Sequence, residues 1–204
     1  WIVLAQDLLG HGGNIKSQPR GHWEAKGWEK NISIIESHSK SILSEYKNLP
    51  LFVLGQGLGS YLLQDFLNDN SNKITGAILA GTNGSPGFLT KILYWIARIE
   101  KIRKNGSSTS DLIDRLTSSS WNQNFASSDK YAWLTHDHEV LQEYKQDPLC
   151  GFSCSCSLWV QVLYHTIRIN KFKNQQSISK DIPLLILSDI HDPIGEQGVG
   201  VHRL

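Results

Sequence analysis

The stretch Leu51-Phe52-Val53-Leu54-Gly55-Gln56-Gly57-Leu58-Gly59-Ser60 decides the fold. Its apolar entry, Leu51 to Leu54, is short, is bounded by Pro50 and Gly55, and reads as a buried strand. Tyr61, Leu62, Leu63, Phe66 and Leu67 leave it at helical spacing and read as a helix packed on that strand. Between the two, Gly-x-Gly-x-Gly permits a very sharp reversal, because glycine tolerates positive φ and lets a helix approach a strand closely.

Outward from this turn the same rhythm repeats. On the upstream side, Ile32, Ile35, Ser39, Ile42, Leu43 and Tyr46 recur at three and four and predict an amphipathic helix over 28–46, ended by Asn48-Leu49-Pro50. On the downstream side, Asn68 to Asn72 reads as a polar turn. Ile74 to Ala80 then reads as a buried strand closed by Gly81-Thr82-Asn83-Gly84. Trp1 to Gln6 and Ile182 to Ser188 read as further buried strands. Alternating strands and helices predict an α/β fold, with a mostly parallel sheet and helices on both faces. Residues 86–180 break the rhythm. Helical pieces at 88–103, 111–117, 138–146 and 157–170, joined by Ser-rich stretches, predict an inserted helical cap. The expected division is therefore core over 1–85, cap over 86–180 and core again over 181–204. The cap is dense in aromatics, among them Trp95, Trp121, Trp133, Tyr144 and Trp159, which suit either a lipophilic tunnel or the packing of the cap itself.

The chain has 204 residues, 40% hydrophobic and 19% charged, with net charge +1. Without a basic excess, nucleic acid is not a favoured partner. No apolar run reaches the roughly 18–20 residues of a membrane helix. Cys150, Cys154 and Cys156 cluster within seven residues, an odd number that suits a reduced, cytoplasmic setting better than a disulfide framework. Their spacing is not a usual zinc pattern, and nothing calls for a metal or cofactor. There is no Met, and the chain opens on an apolar run, so it reads as a fragment incomplete at both ends.

The strand–tight turn–helix resembles the nucleophile elbow of α/β-hydrolases, Gly-x-Ser-x-Gly. More narrowly, residues 49–67 resemble the lysophospholipase and monoacylglycerol lipase branch, a serine aminopeptidase-type group of hydrolases. Gly55 and Gly59 match the flanking glycines, and Gly57 stands where that family carries its serine. Asp7, Gly10, His11 and Gly12 resemble a family loop in which the histidine holds the turn. In that same loop Leu9 and Asn14 replace an arginine and a serine. The segment Asp147-Pro148-Leu149-Cys150-Gly151-Phe152 also has a family counterpart. Asp189-Ile190-His191-Asp192-Pro193-Ile194-Gly195 resembles the loop that carries the acid of the triad, with Asp192 in the matching position.

What the resemblance implies is carboxylic ester hydrolysis by serine, acid and histidine, on a small lipid or ester substrate, with peripheral lipid contact compatible with it. This chain departs from that pattern. Gly57 has no side chain, and Ser60 lies on the departing helix. His202 follows Asp192 too closely to be the catalytic histidine, and His191 adjoins the acid, so the histidine is absent. Of the oxyanion donors, only the backbone N–H of Leu58 is expected. Losing the serine alone costs on the order of 10⁶ in rate in a comparable triad. Three readings stand: a truncated and variant ester hydrolase, a non-catalytic ligand-binding or interaction module on the same fold, and a proline-type peptidase relative.

Overall fold

The computed structural model describes residues 1–204 except 14, 16–18, 85, 126, 128 and 172–174; Asn14, one of the two departures in the His11 loop, lies outside the described residues. The chain forms two compact units. One comprises Trp1–Gly27 and Leu93–Gln161, the other Trp28–Ile92 and Val162–Leu204.

The second unit holds the sheet. Strands β1 (Phe52–Gln56), β2 (Gly76–Ala80) and β3 (Leu184–Leu187) run parallel in the order β1-β2-β3. Val53 pairs with Ala77 and Ala77 with Leu184; Gln56 pairs with Ala80 and Ala80 with Leu187. Helix α1 (Gly27–Glu45) precedes β1, and α2 (Leu58–Asn70) follows it directly. The helical stripe foreseen in α2 is its buried face: Leu63, Phe66 and Leu67 close over Ala77 and Leu79, with Ile32, Ile35, Val53 and Ile182 packed around them. Each of the three large α2 side chains contributes roughly 1.5–3 kcal/mol by leaving water. The helix runs through Asn70 and tightens into a 3₁₀ turn at Ser71–Lys73, where a polar turn was expected. Asn70 explains the extension, because its amide donates to Phe66 O and to Glu36 Oε1.

Three strand expectations need correction. The sequence reads Ile182–Ser188 as a buried strand, but β3 covers only Leu184–Leu187 at the far edge of the described sheet, and Leu184, Leu185 and Leu187 are 46%, 51% and 48% exposed. Leu51–Leu54 was read as buried, but β1 is an edge strand whose Phe52 and Leu54 point away from α2 and are 48% and 61% exposed. Only residues in phase with Val53 face the helices, as the pleat requires. Trp1–Gln6 was read as a strand, but it is irregular, with Trp1, Val3 and Leu4 exposed. An apolar run becomes a strand only where a neighbour takes up its backbone groups, and no described strand pairs with it.

The first unit is helical. It contains most of α3 (Phe88–Lys104), with α4 (Asp111–Asn122), α5 (His138–Gln146) and the first turns of α6 (Cys156–Ile169). Ser110 and Asp137 accept backbone N–H groups at the starts of α4 and α5, as N-cap residues do. Trp121 packs on Trp133 at 4.6 Å and lies 6.5 Å from Trp159. Part of the aromatic density thus packs on itself. His11 is a turn histidine: its Nδ1 lies 3.0 Å from Leu9 O and its ring tilts against Phe152.

Candidate functional site

The sheet hydrogen bonds continue one residue past two of the strands. Gly57 N–H donates to Ala80 O at 3.0 Å, and Gly81 N–H donates to Leu187 O at 3.0 Å. Positions 57, 81 and 188 therefore stand level at the carboxyl ends of β1, β2 and β3, the edge where open α/β sheets bind ligands.

Gly57 makes the reversal at φ 53° and ψ −119°, a conformation that L side chains rarely adopt. A Cβ added there would meet no atom within 4 Å, so a side chain at 57 would project into open space. Gly55 serves a different purpose. A Cβ on it would fall 2.4 Å from Gly59 O, so its hydrogen is what lets α2 start so close to β1. The Ser60 hydroxyl donates to Gly57 O at 2.7 Å and the residue is fully buried, so it braces the turn rather than facing the opening. Leu58 is the first residue of α2, and its N–H is among the initial helix donors without an intrahelical acceptor.

Asp192 reaches the same place from the far end of the chain. The Cβ position of Gly81 lies 3.7 Å from Asp192 Oδ2 and 3.9 Å from Gly57 N, so that carboxylate and the turn flank one point. The Ile194 N–H donates to Asp192 Oδ1 at 2.8 Å, and Gln197 N–H to Asp192 O at 3.0 Å. His202 is exposed and its N–H donates to Gly198 O; His191 is exposed, with Nδ1 3.4 Å from Asp189 Oδ1. Gly57, Leu58 and Asp192 are thus brought together, flanked by Gly55 and Gly59.

Sequence reading missed the residues that hold this loop. The Asn83 amide donates to Ile194 O at 2.7 Å and to Glu196 Oε1 at 3.2 Å, and Arg203 pairs with Glu196 at 3.0 Å. Gln64 on α2 donates to Thr82 Oγ1 at 2.8 Å and ties the helix to the end of β2. A polar residue on the apolar face of α2 was the available signal for Gln64. In the sequence Tyr61 reads only as part of the packing stripe of α2. Burial, with the negative charges of Asp192 and Glu196, pushes its phenol well above the usual tyrosine range, so it stays a neutral hydroxyl.

A cavity of about 460 Å³ lies elsewhere in this unit, lined by Trp28, Glu29, Ile32, Asp65, Asn68 and Arg168 among others. Asp65 accepts from Trp28 Nε1 at 2.7 Å and pairs with Arg168. Behind Trp28, the His165 ring stacks at 4.7 Å and is 6% exposed. Burial lowers the His165 pKa, Arg168 lowers it further, and Glu29 and Asp65 oppose.

The chain resembles several solved hydrolase structures. A thermostable carboxyl esterase from Bacillus coagulans is 20% identical with TM-score 0.78, over 96% of this chain and 64% of that one. The monoacylglycerol lipase of Paleococcus ferrophilus is 21% identical with TM-score 0.58, over 95% and 64%. A soluble variant of monoglyceride lipase from Saccharomyces cerevisiae is 17% identical with TM-score 0.64, over 91% and 58%. At these identities the likeness establishes the α/β-hydrolase fold, and the chain spans less than two thirds of each relative. No curated protein sequence matches it. Residues 1–202 match the serine aminopeptidase S33 family, and the chain belongs to that family of α/β-hydrolases.

Proposed function

We propose that this chain is an ester-binding member of the lysophospholipase and monoacylglycerol lipase type in which the chemical step is disabled at position 57. The observation that carries this reading is the open, left-handed turn at Gly57 beside Asp192. A nucleophile at that point would need a hydroxyl, and glycine offers none. Asp192 takes the acid position and Leu58 N–H one oxyanion donor. The remaining parts support binding: N–H donors at the start of α2 suit a carbonyl oxygen, and Tyr61 supplies a neutral hydroxyl nearby. In this reading the helical segment 86–180 acts as a cap on the core formed by 1–85 and 181–204. Its ligand is a small acylglycerol or lysophospholipid, which makes peripheral contact with lipid natural.

The test uses a fluorogenic short-chain ester and an uncleavable monoalkylglycerol. The chain is expected to bind the ether and to give no turnover above a Gly57→Val control. Turnover that Gly57→Val abolishes would overturn the disabled step, and failure to bind the ether would overturn the ligand class. The family's own description, serine aminopeptidase, favours a second reading in which a peptide occupies the mouth. Binding of a prolyl peptide in preference to the ether would select it.

A further inference from the structure

The cavity beside Trp28 lies wholly within the unit that holds the sheet, and it shares no residue with the Gly57 and Asp192 site. Its walls come from one side of α1, one side of α2 and the end of α6. Four carboxylates line it, those of Glu29, Glu36, Asp65 and Asp69, against a single guanidinium, that of Arg168. At about 460 Å³ it has the size of a small-molecule site. In a chain whose net charge is +1, this is a local excess of negative charge, and such a cleft concentrates cations.

The spacing of the acids says which cation fits. Glu29 and Glu36 stand seven residues apart on one side of α1, about 10 Å along its axis. Asp65 and Asp69 stand four residues apart on α2, about 6 Å along its axis. Among the described residues no three His, Cys, Asp or Glu side chains converge as the ligands of one metal ion do, so the negative charge is spread along the cavity. Ile32 lies between Glu29 and Glu36 and gives the wall an apolar stretch midway. Charge, hydrocarbon and charge in line complement an aliphatic chain that carries ammonium groups along its length.

The acids differ in what they already hold. Asp65 accepts from Trp28 Nε1 at 2.7 Å and from Asn68 at 3.2 Å, and it pairs with Arg168, so it anchors the wall. Glu36 gives one oxygen to the Asn70 amide at 2.9 Å. Glu29 and Asp69 are exposed. His165 is an observation independent of the acids. It is 6% exposed, and its buried Nδ1 has no hydrogen-bond partner and lies 4.0 Å from Asp65 Oδ2. Its Nε2 lies 3.6 Å from Glu29 Oε1. Burial disfavours the charged ring, so the imidazole is neutral at neutral pH and one of its nitrogens is an acceptor turned toward a carboxylate of the cavity. Two acceptors facing each other repel, and an N–H-bearing cation satisfies both.

We propose that this cavity binds a linear aliphatic polyamine, with ammonium groups on Glu29, Glu36 and Asp69, methylenes over Ile32, and one N–H directed at the His165 ring. This is a second ligand site, and it does not rest on the ligand proposed for the Gly57 and Asp192 site. Loss of ether binding there and loss of amine binding here are separate results.

The test is titration calorimetry of the whole chain at low salt with spermidine, putrescine, n-butylamine and trilysine. Spermidine is expected to bind most tightly, putrescine less and butylamine least, and the affinity should fall as salt rises. At about a hundred times its Kd, spermidine should raise the melting midpoint by about 5–10 °C. Glu29→Gln with Asp69→Asn, both at exposed positions, should weaken spermidine binding about tenfold. His165→Phe keeps a ring on Trp28 and should weaken it about fivefold. Circular dichroism will report that the variants fold. No binding of spermidine, equal affinity for the three amines, or unchanged affinity in both variants would overturn the proposal. So would trilysine, which carries the same net charge as spermidine, binding more tightly, since a basic peptide would then be the occupant.

Discussion

Gly57→Ser puts back a hydroxyl at the apex of the turn, and the structure predicts that it destabilises the chain. The cost cannot be a clash, because the added Cβ has no neighbour within 4 Å. It is the cost of holding an L-residue at φ 53° and ψ −119°, about 1–2 kcal/mol. For a chain of this size each kcal/mol lowers the melting midpoint by about 2–4 °C, so the expected fall is about 2–8 °C. Two neighbouring glycines calibrate the result. Gly59→Ala has open space and needs no positive φ, so it should be neutral or stabilising by about 0.5–1 kcal/mol. Gly55→Ala would place its Cβ 2.4 Å from Gly59 O and should cost about 3 kcal/mol. Thermal unfolding followed by circular dichroism, with urea titration beside it, ranks the three. A Gly57→Ser chain that melts at or above the wild type would refute the account of a strained turn relaxed by glycine.

Two other perturbations test different parts of the molecule. His165 is buried against Trp28 with its pKa below the ordinary 6.5, so its contribution to stability is complete above about pH 6.5 and is lost as pH falls from there through the depressed folded value. His165→Phe keeps a ring on Trp28 and should flatten the loss of urea midpoint between neutral and mildly acid pH; equal pH slopes in both proteins would contradict this. Burial, with Asp114 adding, pushes the Cys154 thiol up to about 12, so its alkylation by iodoacetamide at mildly alkaline pH should be about a thousandfold slower than that of an ordinary thiol. Peptide mapping after a timed pulse measures it, and equal labelling of Cys154 and an unstructured cysteine peptide would count against the burial.

Much of the fold was legible from residues close together in the chain. The β1–Gly57–α2 turn, the apolar stripe of α2 and the strand cores at 76–80 and 184–187 follow from periodicity and from where glycine and proline fall. These patterns express local geometry: the pitch of a helix, the pleat of a strand, the φ that only glycine adopts freely. Helix α3 shows the limit: a helical piece over 88–103 was legible, but not that Phe88, Trp95, Ile99 and Ile102 stay exposed while Ala97 and Glu100 turn inward.

Tertiary structure decided what lay far apart in the chain. Trp1–Gln6 has strand composition, yet no described strand pairs with it, and it is irregular with Trp1 to Leu4 exposed. Family resemblance proposed Asp192 for the site, but its position beside Gly57 depends on the Gln56–Ala80–Leu187 register, on the Asp192 turn and on Asn83 reaching across to Ile194 O. Tyr61 became a neutral hydroxyl near two carboxylates for the same reason. By itself the sequence determined the shape of the elbow and the loss of its nucleophile, because conformational preference and side-chain identity belong to single residues. Only the folded chain determined what faces that elbow, because hydrogen-bond pairing and burial belong to residues a hundred or more positions apart.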